Sequence, residues 1–513
     1  MKMANQIDFS LPDVIKDFVF DLFQASRRTC RIEEVQVLYD QKFKELSDKY
    51  FTQSPWPSSE AVSKECNGDD VFLLFYKEMS LRHRFSKMKQ IPISLYLEAW
   101  ENYNRLFNIL LSSKESFIMI STQWAYDIIQ EFVYQFQSFC QYRLQHTRTE
   151  EELHTMEANK DAWSLPVVSI ILNNVIRMSE EIAAATPPTL STEPDTAVTT
   201  HALFGYFASI ENARLECLLA DYTTSLESIQ NIRLWDQNEL FTLVPTCHVN
   251  VYYHAGVSML MVRRYADCID TLSTIALHIL RVLKPGNANS KAIQSQHSKM
   301  MDKILNLLTI AISLSMGRRV DDQVMEVIQS KLGDKFRRLN NGDVQLFEEM
   351  FENSCPKFIS PSVAEHGAAG GASEAWKAQV TIFMTEIQQQ VDLSKLRSYL
   401  KLYSSIELEK MASFNDISQE ELIEQLVASK HKSREIILGS CSSDAATASA
   451  DSPPVAVSVS DVQYHIENAN LVIGSGAGGK SNRLASEKFF MMGIRKNAEI
   501  TADMLRTFTK HGI

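Results

Sequence analysis

Apolar residues recur along most of this chain with the period of an α-helix. Near its start they line one face of a predicted helix, at Ile15, Phe18, Val19, Leu22 and Phe23. Between Gln123 and Arg143 the apolar stripe is wider, which predicts a helix packed against two neighbours. Before about residue 435, no run alternates strictly enough to predict a β-strand. The sequence therefore predicts a mostly α fold.

Two helices are predicted to approach closely at Gly256, which has no side chain to keep them apart. Tyr265 and Cys268 follow on the second helix and face back towards the first. Small and large residues fall here as in a tetratricopeptide repeat, although any helical hairpin needs a small residue at its crossing. We predict tetratricopeptide-like helical repeats, with an unrelated helical hairpin as the alternative.

The pattern changes after about residue 393, where three short predicted helices precede a β-hairpin. Ser418 and Glu421 have the spacing of a capping box at the start of the third helix. Strands are predicted at 462–466 and 471–473. The apolar positions of the helices are, in order, Leu396, Tyr399, Leu400 and Tyr403; Leu408, Met411 and Ala412; and Leu422, Leu426 and Val427. This order of elements predicts a winged helix.

The last segment carries an apolar seam with heptad-like spacing, which is typical of a helix that packs against other helices. The seam runs through Met491, Ile494, Ala498, Thr501, Leu505 and Phe508. Met491, Ile494, Ala498, Leu505 and Phe508 are the predicted partner-binding residues.

Three stretches of polar and small residues predict loops or linkers, at 183–200, 362–375 and 439–460. We predict four regions: N-terminal helices at 1–160, tetratricopeptide-like repeats at 161–350, a region at 351–481, and a C-terminal helix for bundle assembly at 482–513. The third region ends in the winged helix, at 393–481 with the linker at 439–460.

Composition and charge restrict the function. The 513 residues are 45% hydrophobic, and 51 Lys and Arg against 63 Asp and Glu give a net charge of −12. A dedicated nucleic-acid-binding protein is not expected, because phosphate binding requires a basic field. Lys430, Lys432 and Arg434 form a small basic cluster near the end of the third helix. We interpret it as a solvated helix end, with peripheral contact to RNA as the alternative.

The eight cysteines are dispersed, which favours free thiols in a reducing compartment. The first residues lack the apolar run of a signal peptide, and no apolar stretch approaches the roughly 20 residues that span a bilayer. We expect a soluble, cytoplasmic protein without membrane contact.

Residues 474–481 match the GxxxxGK[ST] pattern of a phosphate-binding loop through Gly474, Gly479, Lys480 and Ser481. The preceding strand is the second arm of a predicted hairpin, and most of 482–513 is predicted to form one helix. No βαβ unit fits there. We interpret the match as a glycine-rich wing tip, with a nucleotide-dependent switch as the alternative. No other grouping predicts a catalytic, cofactor or metal site, so we expect a non-enzymatic protein.

Tandem helices, a winged helix and a terminal helix are similar to the PCI-domain architecture of the proteasome lid, the signalosome and translation initiation factor 3. Several strings resemble the subunit L family of eukaryotic initiation factor 3. They include Gln123-Trp124, Asp127-Ile128-Ile129, Tyr134-Gln135-Phe136-Gln137-Ser138-Phe139, Arg263-Arg264-Tyr265, Ser354-Cys355-Pro356-Lys357-Phe358 and Leu400-Lys401-Leu402-Tyr403. The Ala/Gly stretch near residue 370, the Ser/Ala insertion before the hairpin and the glycine-rich wing depart from the family pattern.

The resemblance implies a scaffold subunit that joins other initiation factor 3 subunits, notably K and E, through winged-helix sheet edges and a bundle of C-terminal helices. It also implies that the assembled factor binds the small (40S) ribosomal subunit and supports recruitment of messenger RNA and initiator transfer RNA. A scaffold of the proteasome lid or signalosome is the alternative.

Overall fold

The chain is mostly helical in its computed structural model, which confirms the mostly α part of the predicted fold class; the tetratricopeptide-like repeats and the winged helix stay predictions. The structure describes residues 12–27, 32–52, 54–112, 118–144, 149–185, 200–236, 238–283, 291–315, 320–360, 371–432, 434–437, 455–458, 463–474, 494, 497, 498 and 501.

In the described ranges, all secondary structure before Ser405 is helical. The helices are α1 Asp13–Arg27, α2 Ile32–Val37, α3 Phe43–Tyr50, α4 Ser59–Val62, α5 Asp70–Lys87, α6 Ile93–Ser112, α7 Thr122–Arg143, α8 Glu150–Ala158, α9 Leu165–Ala185, α10 Thr200–Leu218, α11 Tyr222–Ser228, α12 Pro245–Met261, α13 Tyr265–Val282, α14 Lys291–Leu314, α15 Asp322–Asn340, α16 Val344–Ser354, α17 Gly371–Leu402, α18 Leu408–Phe414 and α19 Gln419–Lys432. A π-helical turn at Leu38–Lys42 joins α2 to α3, and a 3-10 turn at Leu240–Leu243 precedes α12. The strands are β1 Ser405–Glu407, β2 Arg434–Ile437, β3 Val455–Ser458, β4 Gln463–Glu467 and β5 Asn470–Gly474.

Several helices begin at side chains that satisfy their first backbone N–H groups. The Ser121 hydroxyl accepts a hydrogen bond from the Trp124 amide at 3.2 Å, at the start of α7. The predicted capping box of α19 is present: the Glu421 amide donates to the Ser418 hydroxyl at 3.2 Å, and the Ser418 amide donates to the Glu421 carboxylate at 3.0 Å.

The chain divides into two compact units. The first comprises Met1–Ile312, Arg319–Phe336 and Glu348–Ile382, and the second comprises Ser313–Arg318, Arg337–Phe347 and Phe383–Ile513. The four regions proposed from the sequence stay predictions.

The first unit is built around helices that are buried on most sides. In α7 the predicted wide stripe is confirmed, because Trp124, Ile128 and Phe132 are fully buried. Helix α10 packs against α7, α9 and α12, and its buried positions surround the helix axis. Trp163 is also enclosed, and its indole N–H donates to the Tyr96 carbonyl at 2.9 Å.

Two helix crossings in this unit depend on glycine. A methyl group added at Gly205 of α10 would lie 2.1 Å from the Ser179 Cβ of α9. One added at Gly256 of α12 would lie 2.4 Å from a Leu272 methyl of α13. The close approach predicted at Gly256 is therefore present, and Cys268 donates its thiol to the Gly256 carbonyl at 3.3 Å.

The second unit has its own apolar core, in which the predicted helices pack against the hairpin. The core is formed by Leu393, Leu396, Leu400, Ile406, Leu408, Met411, Ala412, Leu422, Leu426, Tyr464, Leu471 and Ile473. Val427 was predicted to be buried, but it is 50% exposed. Tyr403 was assigned to a helix, but it follows the end of α17 and is exposed. Both residues lie at the margin of an apolar stripe, where periodicity does not determine burial.

The structure also corrects the predicted absence of early strands and the extent of two linkers. Strand β1 lies well before residue 435 and pairs antiparallel with β5. Helix α17 begins at Gly371, inside the predicted loop at 362–375, and β3 lies inside the predicted linker at 439–460. β3 pairs antiparallel with β2. Strands of three or four residues are too short to show periodicity, and their pairing depends on segments distant in the sequence.

Candidate partner-binding surface

The sheet of the second unit has three strands in the order β1-β5-β4, with antiparallel pairing throughout. The hairpin between β4 and β5 turns at Asn468 and Ala469, both with positive φ, of 47° and 63°. Two such residues are typical of a type I′ turn, whose twist matches that of the strands. Because β5 is central, β1 and β4 form the two edges of the sheet as far as the structure describes it. Such edges can accept a strand from a partner.

Two contacts of Tyr464 join β4 to α19. The Tyr464 hydroxyl donates to the Leu426 carbonyl at 2.6 Å. The Lys430 ammonium lies 5.2 Å from the centre of the Tyr464 ring, within the range of a cation–π interaction. On the other side of the hairpin, the Leu408 amide donates to the Ala469 carbonyl at 3.0 Å. An edge fixed in this way loses little conformational freedom on binding a partner.

The predicted basic cluster is not an unpaired cationic patch. The Lys432 ammonium lies 2.8 Å from a Glu386 carboxylate oxygen, and the lysine side chain is only 12% exposed. The Lys430 ammonium contacts Tyr464, and Arg434 is the first residue of β2 rather than part of α19. Since Glu386 competes with phosphate for Lys432, RNA contact by these residues stays a prediction.

Part of the predicted C-terminal seam is described. Ile494, Ala498 and Thr501 are helical and exposed, and Ile494 is 65% exposed. Met491, Leu505 and Phe508 lie outside the described residues. An exposed isoleucine on a helix suits partner binding, but the role of the seam stays a prediction.

The phosphate-loop-like segment follows a strand of the wrong topology for a nucleotide site. Gly474 ends β5, which is antiparallel to both of its neighbours. A phosphate-binding loop instead follows a strand of a parallel βαβ unit. Gly479, Lys480 and Ser481 lie outside the described residues. The sheet topology is thus not that of a nucleotide site, and the glycine-rich wing tip stays a prediction.

In the first unit the structure reveals a buried cluster of charged side chains that the sequence analysis missed. The Arg82 guanidinium lies 3.1 Å from an Asp127 carboxylate oxygen and 3.6 Å from a Glu78 oxygen. Tyr39 donates its hydroxyl to Asp127 at 2.7 Å, and Tyr103 donates to Glu78 at 3.3 Å. Burial raises the pKa of Glu78 to about 7, although Arg82 opposes that shift. The sequence indicates only one contact of this cluster, because Glu78 and Arg82 are four residues apart on α5 and can form an ion pair along the helix.

Three histidines on consecutive helices form a second titratable cluster, in which His248 and His297 are buried and His278 is half-buried. The rings of His248 on α12 and His278 on α13 have centres 4.3 Å apart, and His297 on α14 is 2% exposed. Burial, reinforced by the imidazoles of His278 and His297, lowers the pKa of His248 to about 4. Burial also lowers the pKa of His278 and of His297. The cluster is therefore uncharged at neutral pH.

We expect His248→Phe to make the first unit less sensitive to acid. The unfolded chain binds a proton at His248 near pH 6.5, whereas the folded chain binds it only near pH 4. Stability contributed by the neutral ring is thus lost as pH falls between these values. Phenylalanine suits the site, because Phe241 and Tyr252 lie around the ring. Urea unfolding at about pH 7 and about pH 5 measures the effect.

The matched control is His154→Phe, at an exposed position of α8. It shows how much the loss of stability on acidification changes when an exposed imidazole is removed. An equal loss of stability on acidification in the wild type and in His248→Phe would contradict the prediction.

Within the described residues, no group of three or more His, Cys, Asp or Glu is arranged to hold a metal ion. The cysteines that the structure describes are buried and free: Cys66, Cys140, Cys217, Cys247, Cys268 and Cys355. Burial raises the pKa of the Cys66 thiol to about 12 and that of Cys140 to about 11, which disfavours reactive thiolates. None of the described helices has the length and apolarity required to span a membrane.

The fold is that of a helical protein with a small antiparallel sheet, and the edges of that sheet can pair with a strand of another protein. Residues 96–496 match the family described as RNA polymerase I-associated factor PAF67. Proteins named eukaryotic translation initiation factor 3 subunit L are similar over most of the chain. The relative from Nematostella vectensis is 33% identical over 440 residues, covering 84% of this chain and 83% of the relative. The human relative is 32% identical over 444 residues, covering 83% of this chain and 78% of its own length.

The chain therefore belongs to the eukaryotic translation initiation factor 3 subunit L family. This confirms the resemblance that the sequence strings indicated.

Proposed function

We propose that this protein is a non-catalytic scaffold subunit of eukaryotic translation initiation factor 3 in the cytoplasm. The observation that carries the proposal is similarity to subunit L proteins over 84% of the chain. In this role the protein supports binding of the factor to the 40S ribosomal subunit and recruitment of messenger RNA and initiator transfer RNA. Its contribution is to hold partners in place rather than to perform a reaction.

We further propose that the second unit contains the winged helix of a PCI domain. The order α17, β1, α18, α19, β4 and β5 supports this assignment, as does the pairing of β1 with the hairpin. For the first unit, the glycine-dependent contact between α12 and α13 supports a tetratricopeptide-like repeat.

The proposed partners are other initiation factor 3 subunits, notably K and E. Strand β4 would bind a neighbouring winged helix at its exposed edge, because its backbone is already held in an extended conformation by β5. The C-terminal seam would bury its apolar residues in a helical bundle with the other subunits. RNA contact at Lys430, Lys432 or Arg434 would be peripheral.

We expect the double variant Leu505→Asp and Phe508→Asp to stay folded but to be lost from the assembled factor. Each aspartate would place a carboxylate in the proposed helical bundle, where an unpaired charge is unfavourable. Affinity purification through a tag on another initiation factor 3 subunit, followed by quantitative mass spectrometry, measures retention. At least a tenfold loss is expected, corresponding to about 1.4 kcal/mol or more.

The double variant Thr507→Asp and Thr509→Asp is the matched control, because it adds the same two charges to the same segment outside the seam. Stoichiometric retention of the double variant would contradict the role of the seam. Recovery of the wild-type chain with proteasome-lid or signalosome subunits, in place of initiation factor 3 subunits, would overturn the proposed complex.

A further inference from the structure

A groove of about 530 Å³ lies in the first unit between α1 and the helix formed by α2 and the π-helical turn. Its size falls within the usual range for binding clefts. Apolar side chains from both walls line it: Phe20 from α1, Val37 from α2 and Leu38 from the π-helical turn. Phe20 is 46% exposed and Val37 is 51% exposed. Single exposed apolar residues are common, but here two from different helices line one concave surface.

Among the residues that the structure describes, the charged side chains that line this groove are acidic. Asp21 is on α1, and Glu33 and Glu34 are in the first turn of α2. The Lys42 ammonium lies 3.2 Å from an Asp21 carboxylate oxygen and partly balances its charge. An apolar groove with carboxylates in its walls is complementary to a surface that combines apolar and cationic side chains.

One wall of the groove has an unusual and firmly held backbone. The π-helical turn at Leu38–Lys42 interrupts an otherwise continuous helix, and such turns occur frequently at functional sites. Leu38 lines the groove, while the next residue, Tyr39, is buried and donates its hydroxyl to Asp127 of α7. The wall is thus tied to the core of the unit, so the groove exists before any partner binds.

We propose that this groove binds an amphipathic helix of a partner protein, with Lys or Arg beside its apolar stripe. Two adjacent helices form a trough that a third helix can fill, with apolar residues at i, i+3 and i+4 inserted between them. The partner's apolar residues contact Phe20, Val37 and Leu38, and its cations face Glu33. The groove is formed by other residues than the strand edges and the seam of the proposed function, and its test is independent of theirs.

The test uses the full-length chain and a labelled synthetic 18-residue helix with leucine on one face and lysine on the other. Fluorescence anisotropy measures affinity, and hydrogen exchange locates the protected residues. We expect saturable binding, protection of α1 and α2, and at least tenfold weaker binding by Phe20→Asp and by Glu33→Lys. Glu33→Lys should also reduce the salt dependence of the affinity, because one attractive charge becomes repulsive.

Matched controls separate the groove from the general acidity of the chain. Val14→Asp changes another exposed apolar residue of α1 that does not line the groove, and Glu180→Lys reverses an exposed charge on α9. Both should bind as the wild type does. A scrambled peptide of the same composition, and a peptide with glutamate in place of lysine, should bind at least tenfold more weakly.

Three results would overturn the proposal. The first is no saturable binding to the wild-type chain. The second is equal binding by the wild type and both groove variants, which would indicate non-specific attraction to an acidic protein. The third is binding that appears only when residues 482–513 are deleted, because the occupant would then be this chain's own C-terminal segment rather than a partner.

Discussion

Replacing Arg82 by methionine is expected to destabilise the first unit by about 3–5 kcal/mol, the cost typical of leaving a buried charge without its partner. The variant removes the cation between Glu78 and Asp127, and the Glu78 side chain is only 1% exposed. All six tryptophans lie within the sequence ranges of the first unit. Urea unfolding followed by tryptophan fluorescence therefore measures the stability of this unit.

The loss caused by Arg82→Met should be larger at alkaline than at acidic pH. The pKa of Glu78 is already raised from 4.5 to about 7, and removing the cation raises it further. When the pKa of a carboxyl is higher in the folded chain than in the unfolded chain, the group stabilises the fold at pH values below its unfolded-state pKa. That contribution is lost as the pH rises through its folded-state pKa. The variant should therefore lose more stability at about pH 8 than at about pH 5.

Two further variants make the Arg82 prediction specific. Adding Glu78→Gln to Arg82→Met should recover much of the loss, because the buried charge is gone and the amide can still accept from Tyr103. Arg105→Met breaks an ion pair with Glu101 whose side chains are 66% and 63% exposed, and should change stability by less than about 1 kcal/mol. Equal losses in Arg82→Met and Arg105→Met would show that the buried cluster contributes no more than a surface pair.

Gly205→Ala is expected to destabilise the first unit by about 3 kcal/mol, within the range for overpacked cores. The new methyl group would lie 2.1 Å from Ser179 Cβ, so α9 and α10 must move apart. Alanine favours an isolated helix over glycine by only about 1 kcal/mol, which is too little to offset the strain. Urea unfolding followed by tryptophan fluorescence measures the change.

Combining Gly205→Ala with Ser179→Gly tests whether the clash with the Ser179 side chain causes the loss of stability. In the double variant the methyl group at position 205 has room, so the two substitutions should compensate each other partly rather than add. Gly333→Ala is the control, because nothing lies within 4 Å of its added methyl group. Additive losses at positions 179 and 205 would show that the helix crossing tolerates the extra volume.

Local patterns predicted much of this protein. The wide stripe of α7, the capping box at Ser418 and Glu421, and the close contact at Gly256 are all present, because each depends on residues near one another in the sequence. The hairpin was predicted for the same reason, although the structure extends the strands to Glu467 and Asn470 on either side of a two-residue turn.

Pairing between distant segments was not predictable in the same way. The short strand β1 forms because β5 lies beside it, and β3 forms within a Ser/Ala-rich stretch because β2 pairs with it. Lys432 was predicted to belong to an exposed basic cluster, but Glu386, 46 residues away, pairs with it. In each case the partner lies too far along the chain for the local pattern of residues to indicate the pairing.

By itself the sequence determined the helical class, the positions of individual helices such as α1, α7 and α19, and the resemblance to the family, because these depend on periodic apolar positions and on short strings of residues. The tertiary structure alone decided which charges are buried together, as for Arg82 with Glu78 and Asp127. It also decided that Phe20 and Val37 line one groove. The physical reason is that periodicity specifies which face of a helix is apolar, whereas the neighbour that covers that face, or leaves it exposed, depends on how the helices pack.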